Sequence, residues 1–255
     1  MKKKVIAITI TLLVATAGAL TLVQCDHSNM ARVTIHIQNE LHATNNDSII
    51  DKLLKLISSN AYATFPPPWT EEHSGADGYL TLFVSGSDIQ TVEIDIPPTS
   101  TTFTTEVPAG AQRSFILKFY NDSQGSFTWG GGKTITLSPG ETDITITMIP
   151  MTEITSHDGL IGSPIQIYWR QFYESLSYSN DYSTIISGFN IYRANPSDGP
   201  NGPYTKIGFA NGYNAENYSD NSINATSEPY YYKVSVVTLS GKEGLLSDFY
   251  PAAGS

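Results

Sequence analysis

The sequence contains a single cysteine among its 255 residues, so the chain cannot form an intramolecular disulfide and its stability must come from packed cores. Basic residues are also scarce. The first 24 residues hold three lysines and no acidic residue, which leaves 11 basic against 24 acidic residues and a formal charge of −13 in the rest of the chain. Nucleic acid is therefore not an expected partner, because its phosphate backbone requires clustered cations and the basic residues here are scattered singly.

Sequence signatures of catalysis are absent as well. The five histidines show no metal-ligand spacing, and no His-Glu-x-x-His or Gly-x-Ser-x-Gly motif occurs. Residues 130–134 (Gly-Gly-Gly-Lys-Thr) do not precede a helix, so they predict a glycine-rich hairpin turn rather than a phosphate-binding loop. We predict no catalytic residue, no metal and no cofactor. A pair of carboxylates brought together in space needs no fixed spacing, and an enzyme of that kind remains a lesser alternative.

Acidic groups are densest in residues 71–77, which contain Glu71, Glu72, His73 and Asp77. Such side chains in a polar loop are usually solvated, and this is the interpretation adopted for them. The abundance of Thr, Ser, Tyr, Ile and Val favours strands over helices, and about 230 residues after the N-terminal segment are enough for about two domains.

The N-terminus has the features of an export signal. Lysines 2–4 precede an uncharged run at residues 5–23, and residues 22–25 read Leu-Val-Gln-Cys. This tetrapeptide resembles the lipobox of bacterial lipoproteins, although Gln24 replaces the usual small residue. The resemblance implies a signal peptide at 1–24, an acylated Cys25 and a tether at 25–30. Cleavage after Ala19 and an uncleaved membrane anchor remain alternatives.

Residues 152–255 alternate with period two between turns spaced by eight to twelve positions, the pattern of a β-sandwich. The order of elements resembles the fibronectin type III family. By this resemblance Trp169 is the core tryptophan and residues 188–193 form the third strand. Tyr230 takes the place of the tyrosine corner, a buried ring whose hydroxyl bonds upstream backbone, and Tyr232 points into the core. No Arg-Gly-Asp tripeptide is present, so integrin-type adhesion is not implied.

Residues 31–150 are similar to the Ig-like or transthyretin-like sandwiches of bacterial surface lipoproteins, in that short strands are separated by Pro-Ala-Gly and Pro-Gly-Glu turns. Apolar residues at helical spacing predict one helix at about 47–58, and residues 150–157 are the predicted linker between the two domains. The predicted strands are 31–38, 79–84, 91–96, 102–107, 114–120, 133–137 and 143–149. The expected fold class is thus all-β, with two β-sandwiches and a short helical insertion.

Several aromatic residues lie in segments predicted to be turns or loops, where large rings are less easily buried. Rings on loops can stack on sugars or anchor a protein partner, and packing against their own domain is the alternative. The candidates for ligand stacking are Trp69, Trp129, Tyr173, Tyr178 and Tyr182.

Together these features predict a non-enzymatic, lipid-anchored protein of the bacterial cell envelope, on the outer membrane or the periplasmic face of the inner membrane. Its β-sandwich modules would bind an unidentified protein or glycan partner, while its lipid anchor would hold it on the membrane. Asp26 beside the acylated cysteine favours retention at the inner membrane. The second functional hypothesis is a carbohydrate-binding accessory lipoprotein that uses the loop aromatics.

Overall fold

In a computed structural model of the chain, the structure describes residues 29–39, 78–121, 126–172 and 182–254. Within these ranges the fold is all-β, with strands, short 3-10 turns and no α-helix. The predicted helix at 47–58 lies outside the described residues, as do the signal peptide, Cys25, Trp69, Tyr173 and Tyr178.

Fourteen strands are described, in two groups that we call the first unit (β1–β7) and the second unit (β8–β14). The strands of the first unit are β1 (Met30–Asn39), β2 (Gly78–Gly86), β3 (Ile89–Ile96), β4 (Thr102–Pro108), β5 (Gly110–Asn121), β6 (Ser126–Leu137) and β7 (Gly140–Pro150). Those of the second unit are β8 (Ile154–Asp158), β9 (Ile165–Trp169), β10 (Ile186–Ala194), β11 (Thr205–Asn211), β12 (Asn217–Asp220), β13 (Tyr230–Thr238) and β14 (Tyr250–Ala252). Every strand predicted between residues 31 and 149 has a counterpart in the structure.

The first unit is one seven-stranded sheet, close to a barrel, in the order β3-β2-β5-β6-β7-β1-β4. The predicted two-sheet sandwich is therefore corrected. Strands β6 and β7 are joined by only two residue pairs, Trp129 with Pro150 and Gly130 with Ile149, and the long parallel pairing of β1 with β7 continues the sheet beyond them.

A run of three glycines explains this continuity. Residues 130–132 lie inside β6, so the predicted hairpin turn is wrong. A Cβ atom added at Gly131 would overlap the carbonyl oxygen of Thr147 and lie 2.9 Å from Cγ2 of Ile146, both in β7. Only glycine permits the backbones of β6 and β7 to approach this closely.

The core of the first unit follows from the period of two in its strands. In β1 the odd-numbered residues from Ala31 to Ile37 are buried, while the even-numbered residues face outward. The buried residues belong to the same apolar cluster as Leu82 of β2 and Leu117 of β5. Each fully buried side chain of this size contributes roughly 1.5–3 kcal/mol to folding.

A buried arginine ties two turns of the first unit together. Arg113 is fully buried, and its Nε and Nη2 donate to the carbonyl oxygens of Pro108 and Ala109 at 2.9 Å each. The same guanidinium forms a bidentate pair with Asp88 in the turn between β2 and β3. Its hydrogen bonds hold the pKa of Asp88 below its ordinary value. The positive φ of Gln112, at 55°, belongs to the bulge that precedes Arg113 in β5.

The second unit consists of a four-stranded sheet, β11-β10-β13-β14, and a three-stranded sheet, β12-β9-β8. Trp169 is 3% exposed, its ring centroid lies 5.2 Å from that of Phe189, and its Nε1 donates to the carbonyl oxygen of Ala215 at 2.8 Å. Tyr232 is fully buried and belongs to the same apolar cluster. Side chains from both sheets therefore fill one core.

The units meet through apolar contacts. A Cβ atom added at Gly130 would lie 2.8 Å from Cδ1 of Leu245, and one added at Gly244 would lie 3.1 Å from Cγ2 of Ile149. Met151 and Thr152, between β7 and β8, are both buried. The segment that joins the units is thus packed against them rather than exposed.

Candidate interaction surface

Two of the predicted stacking residues are described, and both are buried. Trp129 lies in β6 rather than in a turn and is fully buried, because the alternation of the strand directs it into the core. Tyr182 begins a 3-10 turn, is 8% exposed, and has its ring centroid 4.8 Å from that of Phe172. The expectation that these rings face a ligand is corrected, because neither exposes a face to solvent.

The predicted tyrosine corner also differs. Tyr230 is half-buried, and the guanidinium carbon of Arg193 lies 5.4 Å from its ring centroid. The hydroxyl that reaches across the core belongs to Tyr232, and it donates to Oδ2 of Asp220 at 2.9 Å rather than to upstream backbone. The register of β13 places Tyr232, not Tyr230, opposite Arg193.

Asp220 is the centre of a buried polar cluster that links the two sheets of the second unit. It is 1% exposed, and its carboxylate accepts hydrogen bonds from Arg193, from Tyr232, and from both the hydroxyl and the backbone N–H of Ser222. Burial alone would raise the pKa of Asp220, but these hydrogen bonds and the nearby charge of Arg193 outweigh it and hold the pKa below its ordinary value. Burial, together with the neighbouring carboxylate of Asp220, raises the pKa of Tyr232. Because every donor is bonded within the protein, this cluster stabilises the fold and presents nothing to a ligand.

The opposite face of the same sheet carries several aromatic rings, of which Phe209 and Phe249 are exposed while Tyr192, Tyr204 and Tyr231 are half-buried. In β13, Tyr232, Val234 and Val236 point into the core, so Tyr231, Lys233 and Ser235 point outward. We call the outer surface of the sheet β11-β10-β13-β14 the aromatic face. Its residues are Tyr192, Tyr204, Phe209, Tyr231 and Phe249, with Lys206 and Lys233.

Contacts join several of these side chains in pairs. Tyr231 and Phe249 meet edge to face, with ring centroids 5.9 Å apart, and Phe249 is 44% exposed. Nζ of Lys233 lies 4.7 Å from the ring centroid of Tyr204, and the Tyr204 hydroxyl donates to the carbonyl oxygen of Pro200 at 2.8 Å. Tyr204 and Tyr231 are thus held in place by the protein and are half-buried, while Phe249 is exposed.

At the edge strand β11, the position of one ring of the aromatic face depends on Gly188. A Cβ atom added at Gly188 would overlap the ring of Phe209, so the absence of a side chain in β10 lets this ring lie across the neighbouring strand. Phe209 is 43% exposed, and Nζ of Lys206 lies 6.0 Å from its ring centroid.

A polar group lies beside the rings. The Glu243 carboxylate accepts hydrogen bonds from Ser235 and, at 2.6 Å, from the Tyr192 hydroxyl. Burial and the neighbouring carboxylate of Glu243 raise the pKa of Tyr192 to about 12. Burial would raise the pKa of Glu243, but the hydroxyls of Ser235 and Tyr192 outweigh it and lower that pKa. Tyr192 is therefore a neutral donor at physiological pH, and Glu243 is an anion that accepts two hydrogen bonds at Oε1 and attracts Lys206.

The cations on this face differ from the arginines of the second unit. Arg170 and Arg193 form ion pairs with Glu153 and Asp220. Among the residues that the structure describes, Lys206 and Lys233 form none, and their ammonium groups contact aromatic rings instead. Both lysines pair in register with Tyr192, from the strands on either side of β10.

The described residues contain no group of three or more His, Cys, Asp or Glu side chains arranged to hold a metal ion. No helix within the described ranges is long and apolar enough to cross a bilayer.

Comparison with known proteins gives distant structural likenesses only. No family model and no curated protein matches the sequence. Among solved structures, a fibronectin type III domain from the human KIAA0970 protein is 16% identical, with 40% of this chain and 70% of that chain covered and a TM-score of 0.31. A DUF3823 family protein from Bacteroides uniformis is 10% identical, with 88% and 99% covered and a TM-score of 0.30. A segment of two fibronectin type III domains from chicken tenascin is 10% identical, with 68% and 82% covered and a TM-score of 0.24. The chain is thus distantly similar to these proteins, and its function is not established by them.

Proposed function

We propose that this chain is a non-enzymatic, lipid-anchored protein of the bacterial cell envelope that holds an interaction surface away from the membrane. Its first unit, the seven-stranded sheet, would be a spacer, and its second a fibronectin type III-like sandwich that contacts a protein or glycan. The observation that carries this proposal is the aromatic face, a partly exposed group of rings on a sheet whose other side is filled by the core.

The exposure of these rings is the argument for binding. A side chain such as Phe249 or Phe209, more than 40% exposed, gives up part of the free energy that burial would supply. Single exposed apolar residues are common in soluble proteins, but contiguous patches usually mark interaction sites. Here Tyr231 contacts Phe249, and the ammonium groups of Lys206 and Lys233 lie over the rings of Phe209 and Tyr204, so these side chains share the outer surface of one sheet.

The anchor is argued from the sequence. With 24 acidic residues and few basic ones, the exported part would be repelled by anionic headgroups, so lasting membrane attachment requires acyl chains. Cys25, directly after an uncharged run, is the residue able to carry them. Acylation would also account for a lone cysteine in an exported protein.

Membrane fractionation tests the anchor. In a host fed a labelled fatty acid, the wild-type chain should carry the label and sediment with membranes, whereas Cys25→Ala should lose both properties. Unchanged membrane association of Cys25→Ala would instead support an uncleaved N-terminal helix and contradict the proposed anchor.

The interaction surface is tested by capture from envelope extracts, comparing the wild-type chain with Tyr231→Ala and Tyr79→Ala. Tyr79 is a matched control, since it is a 42% exposed tyrosine in β2 of the first unit. A partner whose recovery falls only with Tyr231→Ala supports the proposal. Equal recovery by all three chains contradicts a role for the aromatic face, and hydrolysis of a polymeric substrate by the purified chain would contradict a non-enzymatic role.

A further inference from the structure

We infer that the aromatic face binds an anionic polysaccharide, of the class built from uronic acids. This inference rests on the proposed function and names the partner chemistry of the same surface. It depends on two properties of the face, its aromatic rings and its two lysines, which form no ion pair among the described residues.

The rings provide a stacking platform. A pyranose ring presents an apolar C–H surface on at least one side, and this surface packs well on the face of an aromatic side chain. Tyr231 and Phe249 lie edge to face, and Tyr204 lies beneath Lys233 in the neighbouring part of the aromatic face. Phe209 on β11 and Phe249 beside β14 are the most exposed rings of the face, and an extended polymer that spans the sheet can contact both.

The lysines select for charge. The chain carries 24 acidic and only 14 basic residues, so a polyanion is repelled by the protein as a whole and must be attracted locally. Lys206 and Lys233 provide that local attraction, since their ammonium groups lie over rings and form no ion pair among the described residues. The Glu243 carboxylate beside the rings accepts hydrogen bonds from Tyr192 and Ser235 and also attracts Lys206, so the two ammonium groups and this carboxylate together carry a net charge of 2 − 1 = +1.

The spacing of the cations is suited to a polymer. Both lysines pair with Tyr192 from opposite sides of β10, so their backbones are separated by about two strand spacings, or about 10 Å. Two carboxylates along an extended chain of sugar rings can reach both ammonium groups. A sugar ring between these two carboxylates then lies over the side chain of Tyr192. A neutral glycan would leave both lysines without a partner, which is why the acidic class is favoured.

Binding to polygalacturonate tests the inference. The full-length chain, purified in a mild detergent, is titrated with polygalacturonate in a buffer with a calcium chelator, so that calcium bridges between chains do not form. Methyl-esterified polygalacturonate is the neutral comparison, because it keeps the sugar rings and removes the charge. Poly-glutamate is the second comparison, because it keeps the carboxylates and removes the sugar rings.

The expected result is binding to polygalacturonate at least tenfold tighter than to either comparison polymer. Lys206→Gln with Lys233→Gln should weaken it at least tenfold, Tyr231→Ala should weaken it similarly, and Lys206→Arg with Lys233→Arg should restore most of it. Lys133→Gln and Tyr79→Ala, exposed residues of the first unit, should leave it unchanged. Because the substituted lysines lie on the surface, circular dichroism should show the same fold in every variant.

Several outcomes would overturn the inference. Equal binding to the esterified polymer would show that charge is not recognised. Equal binding to poly-glutamate would show that the sugar rings are not recognised. Unchanged affinity of the lysine and Tyr231 variants would place the site elsewhere. If no polysaccharide binds while envelope capture still depends on Tyr231, the partner is a protein and only the ligand class is wrong. If capture is also independent of Tyr231, the proposed function itself fails.

Discussion

Replacing Asp220 by asparagine should destabilise the second unit more than any other single change of a polar side chain in it. The carboxylate is 1% exposed and accepts four hydrogen bonds, one of them from a fully buried tyrosine hydroxyl. An amide of the same shape removes the charge that compensates Arg193 and turns one acceptor into a donor that faces other donors.

The magnitude follows from burial. Removing one partner of a buried ion pair costs about 3–5 kcal/mol, and an unsatisfied buried donor about 1–3 kcal/mol. The side chain of Arg193 is 16% exposed and can recover some hydration, so the lower end applies. We expect Asp220→Asn to lower the free energy of unfolding of the second unit by about 3 kcal/mol.

Amide hydrogen exchange measured by mass spectrometry gives this free energy for peptides that cover β10 and β13 separately from the first unit. Asp158→Asn is the matched control, because Asp158 also accepts from a tyrosine, Tyr168 at 2.7 Å, but is exposed. The control should leave exchange unchanged. A loss of less than about 1 kcal/mol for Asp220→Asn would refute the reasoning from burial.

The effect should also depend on pH. The native pKa of Asp220 is lower than its ordinary value, so the ionised carboxylate stabilises the fold above the unfolded pKa, which is about 3.9. This stabilisation is lost as the pH falls through the native pKa. The difference between wild type and Asp220→Asn should therefore be full at pH 7 and shrink below pH 4, and a constant difference would contradict the assigned role of the charge.

Three further predictions concern other parts of the chain. Gly131→Ala should lower the free energy of unfolding of the first unit, measured in urea, by more than about 2 kcal/mol, because the added Cβ would meet the β7 backbone. Gly132→Ala should cost much less, because its Cβ would lie 3.3 Å from its nearest neighbour. Equal losses would contradict the close approach of β6 and β7. Arg113→Lys should lower the thermal midpoint of the first unit, because lysine cannot reproduce the hydrogen bonds of the guanidinium to two carbonyl groups and a carboxylate. Arg32→Lys, at an exposed ion pair, should leave the midpoint unchanged. A similar midpoint for both variants would contradict a stabilising role for the buried Arg113. Mass analysis of the mature protein should show acyl chains on Cys25, and an unmodified thiol would contradict the anchor.

Much of the fold could be predicted because strands leave a local signal. The alternation of Val33 and Ile35 in β1 and that of Tyr232 and Val234 in β13 each place a core face correctly from sequence alone. The sheet order could not be predicted this way, because the parallel pairing of β1 with β7 joins segments more than 100 residues apart.

The glycine run at 130–132 shows where local reasoning fails. Consecutive glycines are typical of turns, but here they lie within a strand and permit a neighbouring backbone to approach. The same error placed Trp129 on a turn, although it alternates into the core within that strand.

The aromatic face was missed for a different reason. A position in a predicted loop or turn pointed to Trp129 and Tyr182, which are buried, whereas Phe209 and Tyr231 of the aromatic face lie on strands. The sequence signal for this surface is a residue that lies between two core positions of the same strand. Because Tyr232 and Val234 point inward, Tyr231 and Lys233 must point outward, and an outward-facing tyrosine near a lysine indicates a candidate binding surface.

Hydroxyl-radical footprinting of the full-length chain with and without polygalacturonate tests the central claim most directly, because it reports the solvent exposure of individual aromatic side chains. The account predicts that oxidation of Tyr204, Tyr231 and Phe249 falls when the polymer binds while that of Tyr79 stays constant. Bound polymer that leaves these three rings as reactive as before, or that protects Tyr79 instead, would contradict it.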